Sequence, residues 1–187
     1  MFIATEAGSL KHFISVYNGV SIIPEPVWSN PDAVISCDAC LAGAGGWFNG
    51  KYFHTEFPKF IKDMGLHINA LELLTVMVAL KLWGRFLPAK KIVVCCDNLS
   101  SVVVTQTGRA RDKFLQSCLR ELVFIQARFS FEVKLTHIRG EDNRSADLLS
   151  RWGLDDKFRR EFFDRHKSQI IQETFVYEGL FRFSHDW

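Results

Sequence analysis

The sequence predicts an α/β domain in which a mixed five-stranded sheet, a three-strand meander plus two further strands, is covered by helices. Strand patterns and helix patterns alternate along residues 31–152. A two-residue turn signal, Asn49-Gly50, stands between the second and third strand patterns and is typical of a type I′ hairpin. With 187 residues the chain is long enough to bury one complete hydrophobic core.

The first half of this region supplies the predicted meander and a long helix. Residues 33–40 form an apolar strand pattern, and the glycine-rich segment 42–46 follows it as a connection. Short strands are predicted at 47–48 and 51–57. Asn69 is the predicted N-cap of a helix that runs to about Phe86, with Pro88 beyond its end.

The second half adds two strands and three helices. Residues 91–97 are predicted as a buried strand because 92–96 are wholly apolar, and 131–137 alternate as a strand. Helices are predicted at about 98–106, 112–128 and 142–152. The middle helix carries a stripe at helical spacing that is apolar except for its last residue: Phe114, Leu115, Cys118, Leu119, Leu122, Ile125 and Gln126.

The chain divides into three parts by composition. Residues 1–30 form an N-terminal connector that ends in a proline-rich segment, 31–152 form the α/β domain, and 153–187 form a charged and aromatic tail. Phe158, Phe162 and Phe163 have helical spacing, which predicts that the tail packs against its own domain.

Composition excludes several classes of protein. A hydrophobic fraction of 48% and 17 phenylalanines exclude global disorder. No apolar run reaches the roughly 18 residues that cross a bilayer, and the start lacks the pattern of a signal peptide. We therefore expect an intracellular protein, cytoplasmic or nuclear, with no membrane partner. The five cysteines favour ordinary core positions over a zinc site, because the strand pattern separates Cys37 from Cys40.

Four acidic residues stand among apolar neighbours: Asp38, Glu72, Asp97 and Asp147. A lone buried carboxylate costs several kcal/mol, so such acids are usually paired or bind a metal. Two of them have a structural alternative. Glu72 is three residues after Asn69, the capping-box position, and Asp97 could cap the helix that follows it. One shared, oxygen-rich site for divalent cations is the reading that explains all four.

The motifs around these acids resemble the ribonuclease H family. Asp38-Ala-Cys-Leu-Ala-Gly43-Ala-Gly45 is similar to the family's opening motif, and His137-Ile-Arg-Gly-Glu-Asp-Asn143-Arg-Ser-Ala-Asp147 is similar to its closing loop and helix. The order strand, helix, strand, helix of the four acids also matches that family. The segments 67–74, 96–98 and 108–112 look most like those of DIRS-type retrotransposons. Cys40 and Arg139 depart from the usual residues at their positions, and neither is a ligand.

The resemblance implies a ribonuclease H-like fold and hydrolysis of the RNA strand of RNA–DNA hybrids. Two Mg²⁺ ions about 4 Å apart, with Mn²⁺ as a substitute, would be held by Asp38, Glu72, Asp97 and Asp147. One ion would activate the attacking water and the other would stabilise the leaving 3′ oxygen. His137 would help with proton transfer or product release, with an ordinary strand-end histidine as the alternative. No small-molecule cofactor is expected.

The remaining candidate residues concern the substrate. Gly43 and Gly45 would let the backbone approach one strand closely, or else form a bulged turn. Polar contacts are expected from Asn69 and Asn98, for which helix capping is the alternative, and from Asn143, which would orient substrate or loop. Three basic residues would bind the phosphates of the DNA strand, with a solvated loop as the alternative: Arg109, Arg111 and Lys113.

Two other functions stay open at this point. The chain could be a catalytically idle binding or tethering module of the same origin, or another nuclease of the ribonuclease H superfamily. The sequence contains no Tyr-x-Asp-Asp polymerase motif, so the resemblance implies a reverse transcriptase polymerase domain as a partner that is missing from this chain.

Overall fold

The structure is a computed structural model, and it describes residues 11, 14, 28, 30–87 and 90–187. Nearly all of the predicted connector 1–30 lies outside the described residues, as does Pro88. None of the helices in the described part of the chain combines the length and the apolar composition that a bilayer crossing requires.

The described residues form one mixed sheet in the strand order β5-β4-β1-β2-β3-β6. β2 is antiparallel to β1 and to β3, and the other neighbouring pairs are parallel. The strands are β1 (Ala33–Ala39), β2 (Gly43–Phe48), β3 (Lys51–Glu56), β4 (Lys91–Cys96), β5 (Glu132–His137) and β6 (Gln172–Glu173). The predicted fold class, a meander plus two strands under helices, is confirmed. The two-residue β6, which comes from the tail, makes the sheet six-stranded rather than five-stranded.

The hairpin between β2 and β3 has the turn that the sequence predicts. Asn49 and Gly50 have φ angles of 45° and 76°, and a type I′ turn requires positive values at both positions. The glycine-rich segment before it is not a connection, which corrects the sequence interpretation. Gly43 is the first residue of β2 and pairs with Glu56 of β3, and Gly45 pairs with both neighbouring strands.

Within the described ranges 30–87 and 90–187, six helices pack around the sheet: α1 (Lys59–Lys62), α2 (Ile68–Trp83), α3 (Leu99–Thr107), α4 (Lys113–Phe129), α5 (Arg144–Ser150) and α6 (Asp156–Arg165). Short 3₁₀ turns span Gly84–Phe86 and Glu178–Phe181. The N-cap of α2 is His67, whose side chain accepts a hydrogen bond from the backbone of Asn69. The prediction that Asn69 is the cap is therefore wrong by two positions, and Glu72 is not at the capping-box position.

The tail packs on the domain, as its phenylalanine spacing predicts. Leu180 and Phe181 are buried in the main core with α2. Phe162 of α6 is fully buried in a second cluster with Tyr52 and Trp152. The apolar surface of the tail thus contributes to the hydrophobic core of this chain.

Candidate metal centre

Asp38 is the sixth residue of β1, and it is buried with 5% of its surface exposed. The hydroxyl of Ser150, at the end of α5, donates a short hydrogen bond to its Oδ2 atom. Burial raises the pKa of Asp38 to about 7. The neighbouring carboxylates of Asp97 and Asp147 act in the same direction, whereas Ser150 and the Arg151 guanidinium oppose it. The positive charge near Asp38 is therefore too small to keep its carboxyl group ionised as easily as in water.

Glu72 projects from α2 and is only 4% exposed. Burial, followed by the charges of Asp38 and Asp97, raises its pKa to about 9, although the backbone N–H of Ala39 donates a hydrogen bond to the carboxylate. Its Oε2 atom is buried and has no hydrogen-bond partner among the described residues. An unsatisfied buried carboxylate oxygen is costly, and a bound cation is one group that would satisfy it.

Asp97 directly follows β4, so it lies at the same edge of the sheet as the end of the parallel strand β1. Ligand atoms of Glu72, Cys96 and Asp97 lie within 4.8 Å of one another. The alternative interpretation of Asp97 as a helix cap is wrong, because Asn98 caps α3 by accepting a 2.9 Å hydrogen bond from the N–H of Ser101. The carboxylate of Asp97 is left available to the site.

Cys96 is the soft member of this group, and its environment keeps it protonated. Burial, followed by the charge of Glu72, raises its pKa to about 12. Its sulfur accepts a hydrogen bond from the N–H of Asn98 at 3.3 Å. Mg²⁺ and Mn²⁺ prefer oxygen to sulfur, so the donors that suit them here are the carboxylate oxygens.

Asp147 lies on α5 and is held by two arginines. Arg144 Nη1 contacts its Oδ2 at 2.7 Å, and Arg151 Nε donates a short bond to its Oδ1. Arg144 also binds Glu161 of α6 through two nitrogens. The structure therefore brings all four predicted acids to one edge of the sheet, from four separate elements, and Asp147 comes with its own counter-charges.

The closing loop between β5 and α5 also reaches this site. A Cβ atom on Gly140 would lie 3.1 Å from the Oδ2 of Asp97, so the loop passes close to that carboxylate. His137, exposed at the end of β5, is the register partner of Cys96. Asn143 is buried, and its Nδ2 donates a 2.8 Å hydrogen bond to the carbonyl oxygen of Cys37. In this structure Asn143 ties the loop to β1, which is one of the two roles predicted for it.

Asn69 and Asn98 form a pair beside the carboxylates. The Nδ2 of Asn98 donates to the Oδ1 of Asn69 at 2.9 Å, and the Ser101 hydroxyl donates to the Asn69 carbonyl at 3.3 Å. These bonds join the first turn of α2 to the first turn of α3. The pair therefore helps to fix the position of Glu72 on α2 relative to Asp97. Contact of the two asparagines with substrate stays a prediction.

The other predicted substrate residues are either exposed basic side chains or buried glycines. Arg109 and Arg111 lie on the connection between α3 and α4, and Lys113 is the first residue of α4. All three are exposed, and among the described residues their side chains form no ion pair or hydrogen bond. A Cβ on Gly45 would come within 2.4 Å of Leu149 Cβ, and one on Gly43 within 2.9 Å of a backbone oxygen of α5. Close packing of α5 on β2 thus explains both glycines, and their role as substrate contacts stays a prediction.

Three residues at the site were not singled out from the sequence: Arg144, Ser150 and Arg151. The signal was present, because Arg144 and Arg151 stand three residues before and four residues after Asp147 on a helix, where side chains meet. Ser150 could not be found in this way, since its partner Asp38 is 112 residues distant in the chain.

A similar solved structure is that of LC11-RNase H1, isolated from compost by a metagenomic approach. The two chains share 18% sequence identity with a TM-score of 0.45, and the match covers 68% of this chain and 99% of that one. No protein-family model matches this sequence, and no curated protein matches it.

Proposed function

We propose that this protein is a metal-dependent ribonuclease H, which hydrolyses the RNA strand of RNA–DNA hybrids. The observation that carries the proposal is the convergence of Asp38, Glu72, Asp97 and Asp147 on one edge of the sheet. A fold gains no stability from two buried carboxylates whose pKa values are raised, one of them with an unsatisfied oxygen. Such an arrangement is expected where a cation completes the site.

The four acids would hold the divalent ions, Mg²⁺ or Mn²⁺, and bound ions of this kind activate water and neutralise charge on a phosphodiester. The protein itself contributes position and charge. Ser150 fixes the orientation of the Asp38 carboxylate, and Arg144 and Arg151 fix that of Asp147. His137 is exposed at the end of β5, next to β4, where it would carry a proton between the site and water.

The hybrid would lie across this edge of the sheet. The Asn69–Asn98 pair stands next to Glu72 and Asp97 and offers amide groups to the 2′-hydroxyls that distinguish RNA from DNA. The exposed cluster at residues 109–113 would contact the phosphates of the DNA strand. We further propose that the domain acts inside the cell, beside the polymerase domain of a DIRS-type retrotransposon reverse transcriptase.

One observation favours a second candidate, an idle nucleic-acid-binding module. Both carboxylate oxygens of Asp147 are already paired with arginines, which is how a purely structural acid would also be arranged. The two candidates differ in their chemistry. A nuclease must cleave the RNA strand in the presence of Mg²⁺, whereas a binding module must retain the hybrid without cleaving it.

The test is incubation of the protein with Mg²⁺ and an end-labelled RNA–DNA hybrid, beside the variant Asp97→Asn. A matched control is Asp63→Asn, which removes an exposed carboxylate at the end of α1. We expect cleavage of the RNA strand by the wild type and by Asp63→Asn, and none by Asp97→Asn. Duplex and branched DNA should remain intact. Tight, salt-dependent binding of the hybrid with no cleavage would instead support the binding module.

A further inference from the structure

A cleft of about 390 Å³ lies where the tail crosses the end of α2 and the last turns of α4. Its walls come from residues 81–85, 124–129 and 177–184, and we call it the tail cleft. Glu72 and Lys81 are nine residues apart on α2, which corresponds to about 14 Å along the helix axis. The tail cleft is therefore distinct from the carboxylate site.

The walls of the tail cleft carry positive charge that the described residues leave unpaired. Arg85, Arg128 and Arg182 are exposed, and within the described ranges none of them forms an ion pair. Each guanidinium lies over an aromatic ring, at 4.5, 5.5 and 4.4 Å from the ring centroids of Phe86, Phe129 and Phe60 respectively. Stacking of this kind occupies the face of a guanidinium and leaves its N–H groups for an anion.

The floor of the tail cleft adds no net charge and fixes the position of the tail. Lys81 forms a 2.6 Å ion pair with the buried Glu121 and also donates to the carbonyl oxygen of Arg182 at 2.6 Å. The backbone N–H and the hydroxyl of Ser184 donate to the same glutamate. Glu178 is an exposed acid in this segment, so the arginines outnumber it and the cleft is positive.

An aromatic ring completes the tail cleft. Tyr177 is 57% exposed, and a Cβ atom on Gly179 would lie 2.8 Å from its Cε2 atom. Glycine at 179 thus allows the tyrosine ring to lie close against the backbone. A ring that is supported on one side and accessible on the other is suited to stacking on a planar ligand.

We propose that the tail cleft binds single-stranded nucleic acid, with the arginines on the phosphates and Tyr177 stacked on a base. Proteins that bind single strands combine a positive groove with exposed aromatic rings in this way. A duplex is disfavoured as the ligand because its bases are already stacked on one another. An acidic peptide would pair with the arginines, but its carboxylates would offer no planar group to stack on the ring of Tyr177.

The experiment measures binding of a fluorescein-labelled single-stranded DNA oligonucleotide by anisotropy, in EDTA and over a range of salt concentrations. EDTA makes the result independent of metal at the carboxylate site. Arg85→Gln with Arg128→Gln removes two charges from the cleft. The matched control, Arg160→Gln with Arg165→Gln, removes two exposed charges from α6.

Two phosphate contacts on a single strand account for a slope of about 1.4 in log K against log salt concentration. We expect the cleft variant to bind more weakly and to lose about that much slope, while the control keeps both values. Tyr177→Ala should weaken binding by roughly five- to a hundredfold with an unchanged slope, because stacking releases no counterions. Gly179→Ala should act in the same direction, since the added methyl group displaces the ring.

Unchanged affinity and slope in the cleft variant would overturn the proposal, as would an equal loss in the control. Binding of poly-glutamate that the cleft variant abolishes, with no binding of the oligonucleotide, would also overturn it. That last result would assign the cleft to an acidic protein partner.

Discussion

Two buried glutamates should respond in opposite ways to the same substitution. Glu72 is 4% exposed and Glu121 is fully buried. Burial raises the pKa of both, but Lys81 and Ser184 more than offset it for Glu121 and hold the pKa of that residue below its usual value. Glu72 lacks such a partner, and its pKa rises from 4.5 to about 9. We therefore compare Glu72→Gln with Glu121→Gln in the metal-free protein.

The size of the Glu72 effect follows from proton linkage. Between pH 4.5 and about 9 the folded protein holds a proton on Glu72 that the unfolded chain has lost, so stability falls as the pH rises through this window. Each pKa unit corresponds to about 1.4 kcal/mol. At pH 7.5, three units above the unfolded pKa, the loss reaches about 4 kcal/mol. The neutral amide of Glu72→Gln removes this loss, so the variant should be more stable than the wild type by up to that amount.

Glu121→Gln should destabilise the protein. The substitution leaves the ammonium of Lys81, 2.6 Å from the altered group, without its counter-charge in a largely buried place. Breaking a buried ion pair by removing one partner costs about 3–5 kcal/mol. Both variants replace a carboxylate with an amide at nearly the same burial. The difference between their free energies of unfolding therefore reports the electrostatic environment of each glutamate.

The assay is urea unfolding in EDTA at several values between pH 5.5 and 8.5. We expect the free energy of unfolding of the wild type to fall with pH, and that of Glu72→Gln to fall less steeply. Added Mg²⁺ should stabilise the wild type more than Glu72→Gln, because the variant lacks one ligand. A Glu72→Gln protein less stable than the wild type at pH 7.5 in EDTA would refute the reasoning, since it would mean that the carboxylate is satisfied without metal.

Three further predictions concern other parts of the structure. Replacing Arg109, Arg111 and Lys113 together with Ala should weaken hybrid binding and reduce its salt slope by about 2 to 3, whereas unchanged affinity in a filter-binding assay would remove them from the interface. Gly45→Ala should lower the free energy of unfolding by about 1–3 kcal/mol or more, because α5 has no room to retreat from β2. Phe162→Ala should cost about 3–5 kcal/mol by urea unfolding, and a cost below 1 kcal/mol would show that α6 is not part of the core.

The sequence predicts the sheet well because local patterns determine it. A run of apolar residues marks β4, which ends just before Asp97, and an alternating pattern marks β5, the next strand along the chain. The turn at Asn49-Gly50 has the φ angles that its residues favour. The glycines of β2 were misplaced for a different reason. Their absent side chains make room for α5, more than 100 residues later, and no local pattern records that contact. The cap of α2 was misplaced because a histidine, rather than the commoner asparagine two positions on, accepts the bond.

Local sequence patterns are limited in the same way at the candidate site, and this limit concerns the charges of its acids. The acids could be found from the sequence because each is out of place among apolar neighbours, but their charge state depends on contacts across the fold. Burial holds protons on Asp38 and Glu72 near neutral pH, and two arginines neutralise Asp147. A metal-free site of this kind carries little net negative charge, which under the proposed function would let the phosphates of a nucleic acid approach it. A divalent ion must then displace the protons, so Mg²⁺ affinity should rise with pH between about 7 and 9, and binding should release protons to the buffer. Calorimetric titrations in two buffers of different ionisation enthalpy would measure that release, and zero release at pH 7 would show that the carboxylates are already ionised.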